Sequence, residues 1–215
     1  MNFPFFASFL IFIVVLQHNM KRGKKSQEQS EAAFWKREFS ANDVRKRSLD
    51  DLVYVKFPAT DFYPINLLGA KDSSSFLEKN PEVKEILSRF VFLENQKIVN
   101  LTQYTNTDLK YKYGVANLNT LTEYDTNYNE LITLLHNYGH IYIKDGYENQ
   151  ALSVLEYAVS IGTDISGTYL LLAEIYQKNL QHDKMQWLKK EAENISTSRK
   201  DSILRKLQEL DSYHD

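Results

Sequence analysis

Two histidines four residues apart, His136 and His140, have the one spacing in this chain that suggests chemistry. On a helix that separation turns both imidazoles to the same side, where they could share a metal ion. Zinc hydrolases of the H-E-x-x-H type add a Glu between the histidines as general base. Here the intervening residues are Asn137, Tyr138 and Gly139, so that base is missing. No carboxylate or third histidine stands nearby to complete a ligand set. The two histidines therefore read as polar residues on the exposed side of a helix. The acidic pair Asp50 and Asp51 reads as solvated surface. The chain has no G-x-G-x-x-G, no phosphate-binding loop and no G-x-S-x-G. It has no Cys, which excludes disulfides, thiol catalysis and Cys-ligated zinc. The expectation is no catalytic residue, no metal and no cofactor, with an enzyme whose metal site lies at His136 and His140 as an alternative.

The elements that carry these histidines show a repeated spacing. Leu135, Tyr138, Gly139, Tyr142, Ala151 and Ala158 are followed, all at one constant offset, by Tyr169, Leu172, Ala173, Tyr176, Met185 and Ala192. The large residues lie three or four apart and so share one face of each helix. The small ones, Gly139, Ala151, Ala158 and Ala192, allow two helices to approach closely. Gly146 falls just past the first helix, where a left-handed residue commonly ends one, and Asn179 lies near the matching place in the second copy. Helices are predicted at 127–144, 148–161, 166–179 and 183–194, antiparallel and stacked as two pairs.

This pattern resembles the tetratricopeptide repeat (TPR), in which W-x2-L-G-x2-Y is followed by A-x3-F-x2-A and then Pro. Two repeats are matched, 132–165 and 166–199. The departures are Leu155 and Lys189 at the late aromatic position of the second helix, and Thr163 and Thr197 at the closing Pro. The resemblance implies an all-α fold, a right-handed superhelix of antiparallel helix pairs. It also implies that the first helix of each pair lines a concave surface that binds a peptide or a partner helix. Carried over by position, the ligand-facing residues are Thr133, His136, His140, Ile143 and Lys144 in the first repeat. In the second they are Gly167, Leu170, Glu174, Gln177 and Lys178. The competing expectation is that this face packs on residues 50–75 of the same chain.

Composition sets the frame. Hydrophobic residues make up 43% of the 215, enough for a sizeable core, and only 7 Gly and 4 Pro occur, which favours helices over a turn-rich β fold. Net charge is −2, unevenly spread. Residues 21–47 hold nine Lys/Arg against four Asp/Glu, whereas 48–215 hold 17 against 24. Residues 1–20 carry no charged side chain, and Phe3–Leu16 is almost wholly apolar. With Lys21, Arg22, Lys24 and Lys25 directly after it, this stretch reads as an uncleaved transmembrane helix. The topology expected is single-pass, with the N-terminus out and the body cytoplasmic. An exported, extracytoplasmic binding protein is the alternative.

Further along, 21–47 reads as a basic juxtamembrane helix with Phe34, Trp35 and Phe39, and 48–79 as an extended connector. Asn80-Pro81-Glu82 marks a helix start, a cap followed by Pro and acid. Val83, Ile86, Leu87 and Phe90 form the apolar face of that helix. A second helix is predicted from Asn106 or Thr107 to about Tyr124, with Leu109, Tyr113, Ala116 and Leu121 buried. These two helices are expected to supply a degenerate hairpin before the repeats, within a helical domain of residues 80–215. A final helix at 198–211 is expected to cap the last repeat. The functional expectation is a membrane-anchored interaction scaffold or adaptor. Its partner would be a protein or peptide, with membrane contact through residues 1–20 and the basic neck and no nucleic acid.

Overall fold

The computed structural model describes residues 3–212, with the side chains of 16, 19–25 and 27–211. The protein is all-α; among the described residues the only β pairing is an isolated antiparallel bridge between Tyr54 and Val99. The chain divides into two compact units, Met1–Ser48 with Thr105–Leu118, and Leu49–Tyr104 with Asn119–Asp215.

The first unit joins the end of a long helix, α1 (Phe3–Asn42), to a short one, α5 (Asn106–Tyr113). Its apolar content is small: Ala41, Leu109 and Tyr113 are buried. Polar contacts do the rest. Thr107 Oγ1 donates to Glu38 Oε2 at 2.7 Å, and Lys110 pairs with the same carboxylate. Arg37 pairs with Asp108. Asp108 also closes a capping box with Thr105 at the start of α5, satisfying two otherwise orphaned amide groups. The chain after α1 is tied to α5 by Arg47 N–H on the Tyr113 carbonyl, and by Asn117 Nδ2 donating to the carbonyls of Arg47 and Tyr113. Gly114 ends α5 with φ +84°, and a Cβ there would sit 2.3 Å from the Arg45 carbonyl oxygen.

Among the described residues no helix is long and apolar enough to cross a membrane. The expected transmembrane helix at residues 1–20 is thereby overturned, together with the single-pass topology and cytoplasmic body inferred from it. The apolar run Phe3–Leu16 measures about 21 Å at 1.5 Å per residue, against a hydrocarbon core of roughly 30 Å. Nor does a separate neck begin at Lys21: α1 is one continuous helix through the basic cluster to Asn42. Met1 and Asn2, the start of the expected anchor, lie outside the described residues.

The second unit contains α2 (Pro64–Leu68), α3 (Ala70–Lys79), α4 (Glu82–Glu94), α7 (Glu148–Ser160), α8 (Ser166–Lys178), α9 (His182–Glu193) and α10 (Lys200–Ser212). It also holds all but the first residue of α6 (Leu118–Lys144). The stretch expected as an extended connector is thus largely helical beyond a 3-10 turn at Ala59–Phe62. Its aromatics explain why: Phe57 and Phe62 pack on Phe90 and Tyr157, Phe76 stacks on Tyr142 at 4.6 Å, and Tyr138 donates to the Phe62 carbonyl at 2.8 Å. Of the predicted pair 81–95 and 106–124, the first is α4, near its predicted bounds, and the second is split into α5 and the start of α6. The latter prediction ran through Gly114, whose backbone breaks the helix, and Ala116, expected to be buried, is exposed. Asn80 does not cap α4 with its side chain; that amide donates to the Phe76 carbonyl and to Asp145 Oδ2.

From α6 onward the turns repeat. Tyr147 N–H bonds to the Tyr142 carbonyl at 2.9 Å, and at the matching place in the next hairpin Gln181 N–H bonds to the Tyr176 carbonyl at 2.8 Å. The residue before each has positive φ, Gly146 at +83° and Leu180 at +52°. Gly139 meets Leu155, where a Cβ would stand 2.4 Å from a Leu155 methyl carbon. Thr163 ends the turn after α7 by donating its N–H to the Ala158 carbonyl at 3.1 Å, a bond that Pro could not make. It is fully buried, its hydroxyl accepts from Ile165 N–H, and its carbonyl accepts from the Tyr169 hydroxyl at 3.0 Å.

Candidate partner-binding face

Helix α6 turns Thr133, Asn137, His140 and Lys144 outward in steps of three and four, so they form one exposed stripe. Helix α8 does the same with Glu174 and Lys178. The two helices meet at His136. Its Nδ1 lies 3.1 Å from the hydroxyl of the buried Thr168, and a Cβ on Gly167 would come 2.7 Å from its ring. Gly167 is therefore a close-approach residue, not a ligand contact. Burial, and then the charge of His140, push the His136 pKa below its ordinary value, so the neutral ring is favoured.

The residues expected to face a ligand thus separate into two groups. His136 is engaged with Thr168, Gln177 donates to the Leu210 carbonyl on α10, and Lys178 pairs with Glu148 on α7. These three join helices within the unit. Thr133, His140, Lys144 and Glu174 are exposed, and Ile143 and Leu170 are half-buried. Residues of the segment 50–75 accept hydrogen bonds from Tyr138 on α6 and from Gln150 and Tyr157 on α7, all of which lie off this stripe. As for a metal, no group of three or more His, Cys, Asp or Glu is placed to hold one among the described residues.

Beside the stripe runs a groove between α4 and α6, about 430 Å³ in volume. Its walls are Glu82, Glu85, Ile86 and Arg89 on one side and Glu130, Leu134, Asn137 and Ile141 on the other. Arg89 bridges the two, donating to both oxygens of Glu130 at 2.5 and 2.8 Å. Those hydrogen bonds raise the Arg89 pKa further. At the other end the wall is anchored by Asp145, whose carboxylate takes Lys79 Nζ and Asn80 Nδ2, both at 2.6 Å. Burial pushes its pKa up, but these two bonds outweigh it and leave the pKa lowered.

The groove was not foreseen from sequence. The α4 stripe was read for its apolar face, yet the i, i+3, i+7 run of Glu82, Glu85 and Arg89 lies alongside. That run was the available signal. The Glu130 partner, far along the chain on α6, carried none. Searches against protein-family models, curated proteins and solved structures found no match to this chain.

Proposed function

We propose that the second unit is a protein-interaction module that binds a peptide or a partner helix on the α6–α8 face. The observation that carries this is the exposed stripe of Thr133, His140, Lys144 and Glu174, chemically mixed and set on two helices that His136 locks together. None of His140, Lys144 and Glu174 has an ion pair or side-chain hydrogen bond among the described residues, so each is open to an external partner. The resemblance to TPR proteins supports the same reading. Such a scaffold needs no catalytic group: affinity comes from apolar contact, and register from a few charges.

Panning a displayed peptide library on the intact protein tests this. The comparison is a variant with Thr133, His140, Lys144 and Glu174 all changed to Ala, four exposed sites whose loss leaves the core untouched. Sequences enriched on the parent and lost on the variant support the assignment. No enrichment, or equal enrichment on both, rejects it.

A further inference from the structure

We infer that the groove between α4 and α6 takes a basic amphipathic helix from a partner protein. The inference rests on reading this unit as an interaction module, and it adds a second surface beside the α6–α8 face and the chemistry that surface takes.

The walls decide the shape of the ligand. Glu82, Glu85, Ile86 and Arg89 follow one helix, and Glu130, Leu134, Asn137 and Ile141 the other. The Arg89–Glu130 pair places the end of one row against the start of the other, so the two rows run antiparallel. The walls are helical, with main-chain groups paired inside their own helices, so they offer no edge to an extended strand. A third helix satisfies its own backbone and can seat a row of side chains between two parallel ridges.

Charge decides the rest. Arg89 and Glu130 neutralise each other, but Glu82 and Glu85 are exposed and have no ion pair among the described residues. Their place in the first turn of α4 suits the helix dipole, yet both also line the groove. The apolar wall is Ile86, Leu134 and Ile141, and beyond the groove the Arg89 guanidinium lies 4.4 Å from the ring centre of the exposed Phe92. A helix with an apolar stripe and flanking Lys or Arg is complementary on both counts. The acidic excess of residues 48–215 would draw it in.

The test uses the full chain and two labelled synthetic helices of about four turns each. Both carry one leucine stripe; one is flanked by Lys and the other by Glu. Fluorescence anisotropy should show the Lys helix binding at least roughly tenfold more tightly than the Glu helix. Glu82→Lys with Glu85→Lys, both at exposed positions, should reverse that preference. Asn137→Trp, exposed where the groove borders the α6 stripe, should obstruct the groove and weaken both, whereas the variant with Thr133, His140, Lys144 and Glu174 changed to Ala should bind both as the parent does. If both helices bind equally and the charge reversal changes nothing while Asn137→Trp still blocks them, the groove binds helices but the basic partner is wrong. If neither helix binds, or Asn137→Trp has no effect, the groove assignment is wrong. In that case the α6–α8 face stands or falls by its own panning result.

Discussion

Both units of this chain carry ion pairs, but they differ in what fills their interiors. In the first, α1 and α5 bury Ala41, Leu109 and Tyr113 and are held by Glu38–Lys110, Arg37–Asp108, the Thr105 capping box and carbonyls that accept from Asn117. In the second, fully buried tyrosines dominate: Tyr128, Tyr138, Tyr142, Tyr169 and Tyr176 each pack a ring in the interior and direct the hydroxyl to a partner. Tyr138 and Tyr142 bond to each other at 2.7 Å, with Phe90 and Phe76 against their rings. A unit with little buried apolar surface and a unit packed with rings should fail under different stresses. The difference also favours the second unit for the proposed binding face, since a packed core holds helices firmly enough to present fixed side chains.

The largest expected effect is therefore a split across the pH scale. Burial pushes Tyr142 and Tyr157 up to about 12, and raises Tyr128, Tyr138, Tyr169 and Tyr176 further, from an ordinary value of 10. A folded pKa above the unfolded one means stability is intact below pH 10 and is lost as pH rises through about 12. Glu38 and Asp108 are shifted the other way, by Lys110 and Thr107 for the first and chiefly by Thr105 for the second. Their contribution is present above the ordinary values of 4.5 and 3.8 and is lost as pH falls through the lower folded ones. In the second unit His136 costs stability as pH falls below 6.5, and Asp145, which Lys79 and Asn80 hold low against its burial, costs it further down. That unit keeps its ring-filled core, whereas the first has little buried apolar surface besides its polar contacts. Each unit has one tryptophan, Trp35 in the first and Trp187 in the second. Single-tryptophan variants, Trp35→Phe and Trp187→Phe, can follow the units separately by fluorescence. Acid should move the Trp35 signal first, and alkali the Trp187 signal together with most of the helical circular dichroism. Identical midpoints for both reporters at both extremes would break the comparison.

A smaller effect is local to each glycine contact. Gly139→Leu drives a side chain into Leu155 and should destabilise the second unit by about 1–3 kcal/mol or more. Gly114→Ala meets a carbonyl oxygen that cannot swing aside, at a φ of +84° and ψ of 151° that only glycine adopts readily. It should weaken the first unit by about 1–3 kcal/mol. Thermal melts with the two tryptophan reporters should show each change confined to its own unit. A Gly139→Leu melt that matches the parent would mean α6 and α7 can separate without loss.

How much of this was legible in the sequence depends on the range of the interaction. The helices α7, α8, α9 and α10 fall within one or two residues of their predicted bounds, because apolar spacing along a helix is a local signal. The α6 start at Leu118 was missed, since nothing local marks a helix that runs unbroken through Tyr124. The stretch 50–79 was misread because its helices are short and are fixed by Phe57, Phe62 and Phe76 against α4, α6 and α7. Of the face, the outward stripe was legible from its period. That His136, Gln177 and Lys178 join helices instead was not, since their partners Thr168, Leu210 and Glu148 stand on other helices, distant in sequence. The apolar start of α1 was over-read: its composition suggested a span that its length does not support.

The smallest effect expected is a gain. Leu180 stands where Gly146 stands in the preceding hairpin turn, with the same pattern of backbone bonds and φ of +52°. A side chain in that region costs about 1–2 kcal/mol, because Cβ crowds the following carbonyl. Glycine avoids that crowding but loses roughly 0.5–1 kcal/mol of extra backbone entropy on folding. The side chain of Leu180 is 75% exposed, so little burial offsets its strain. Leu180→Gly should therefore raise the stability of the second unit by about 0.5–1 kcal/mol, a rise in melting temperature of roughly 2 °C for a unit of this size. Gly146→Leu should lower it by a similar or larger amount. Leu180 also borders a cavity of about 470 Å³ with Tyr176, Met185 and Gln186. If Leu180→Gly lowers the melting temperature instead, contact across that cavity outweighs the strain, and the two turns are alike in backbone only.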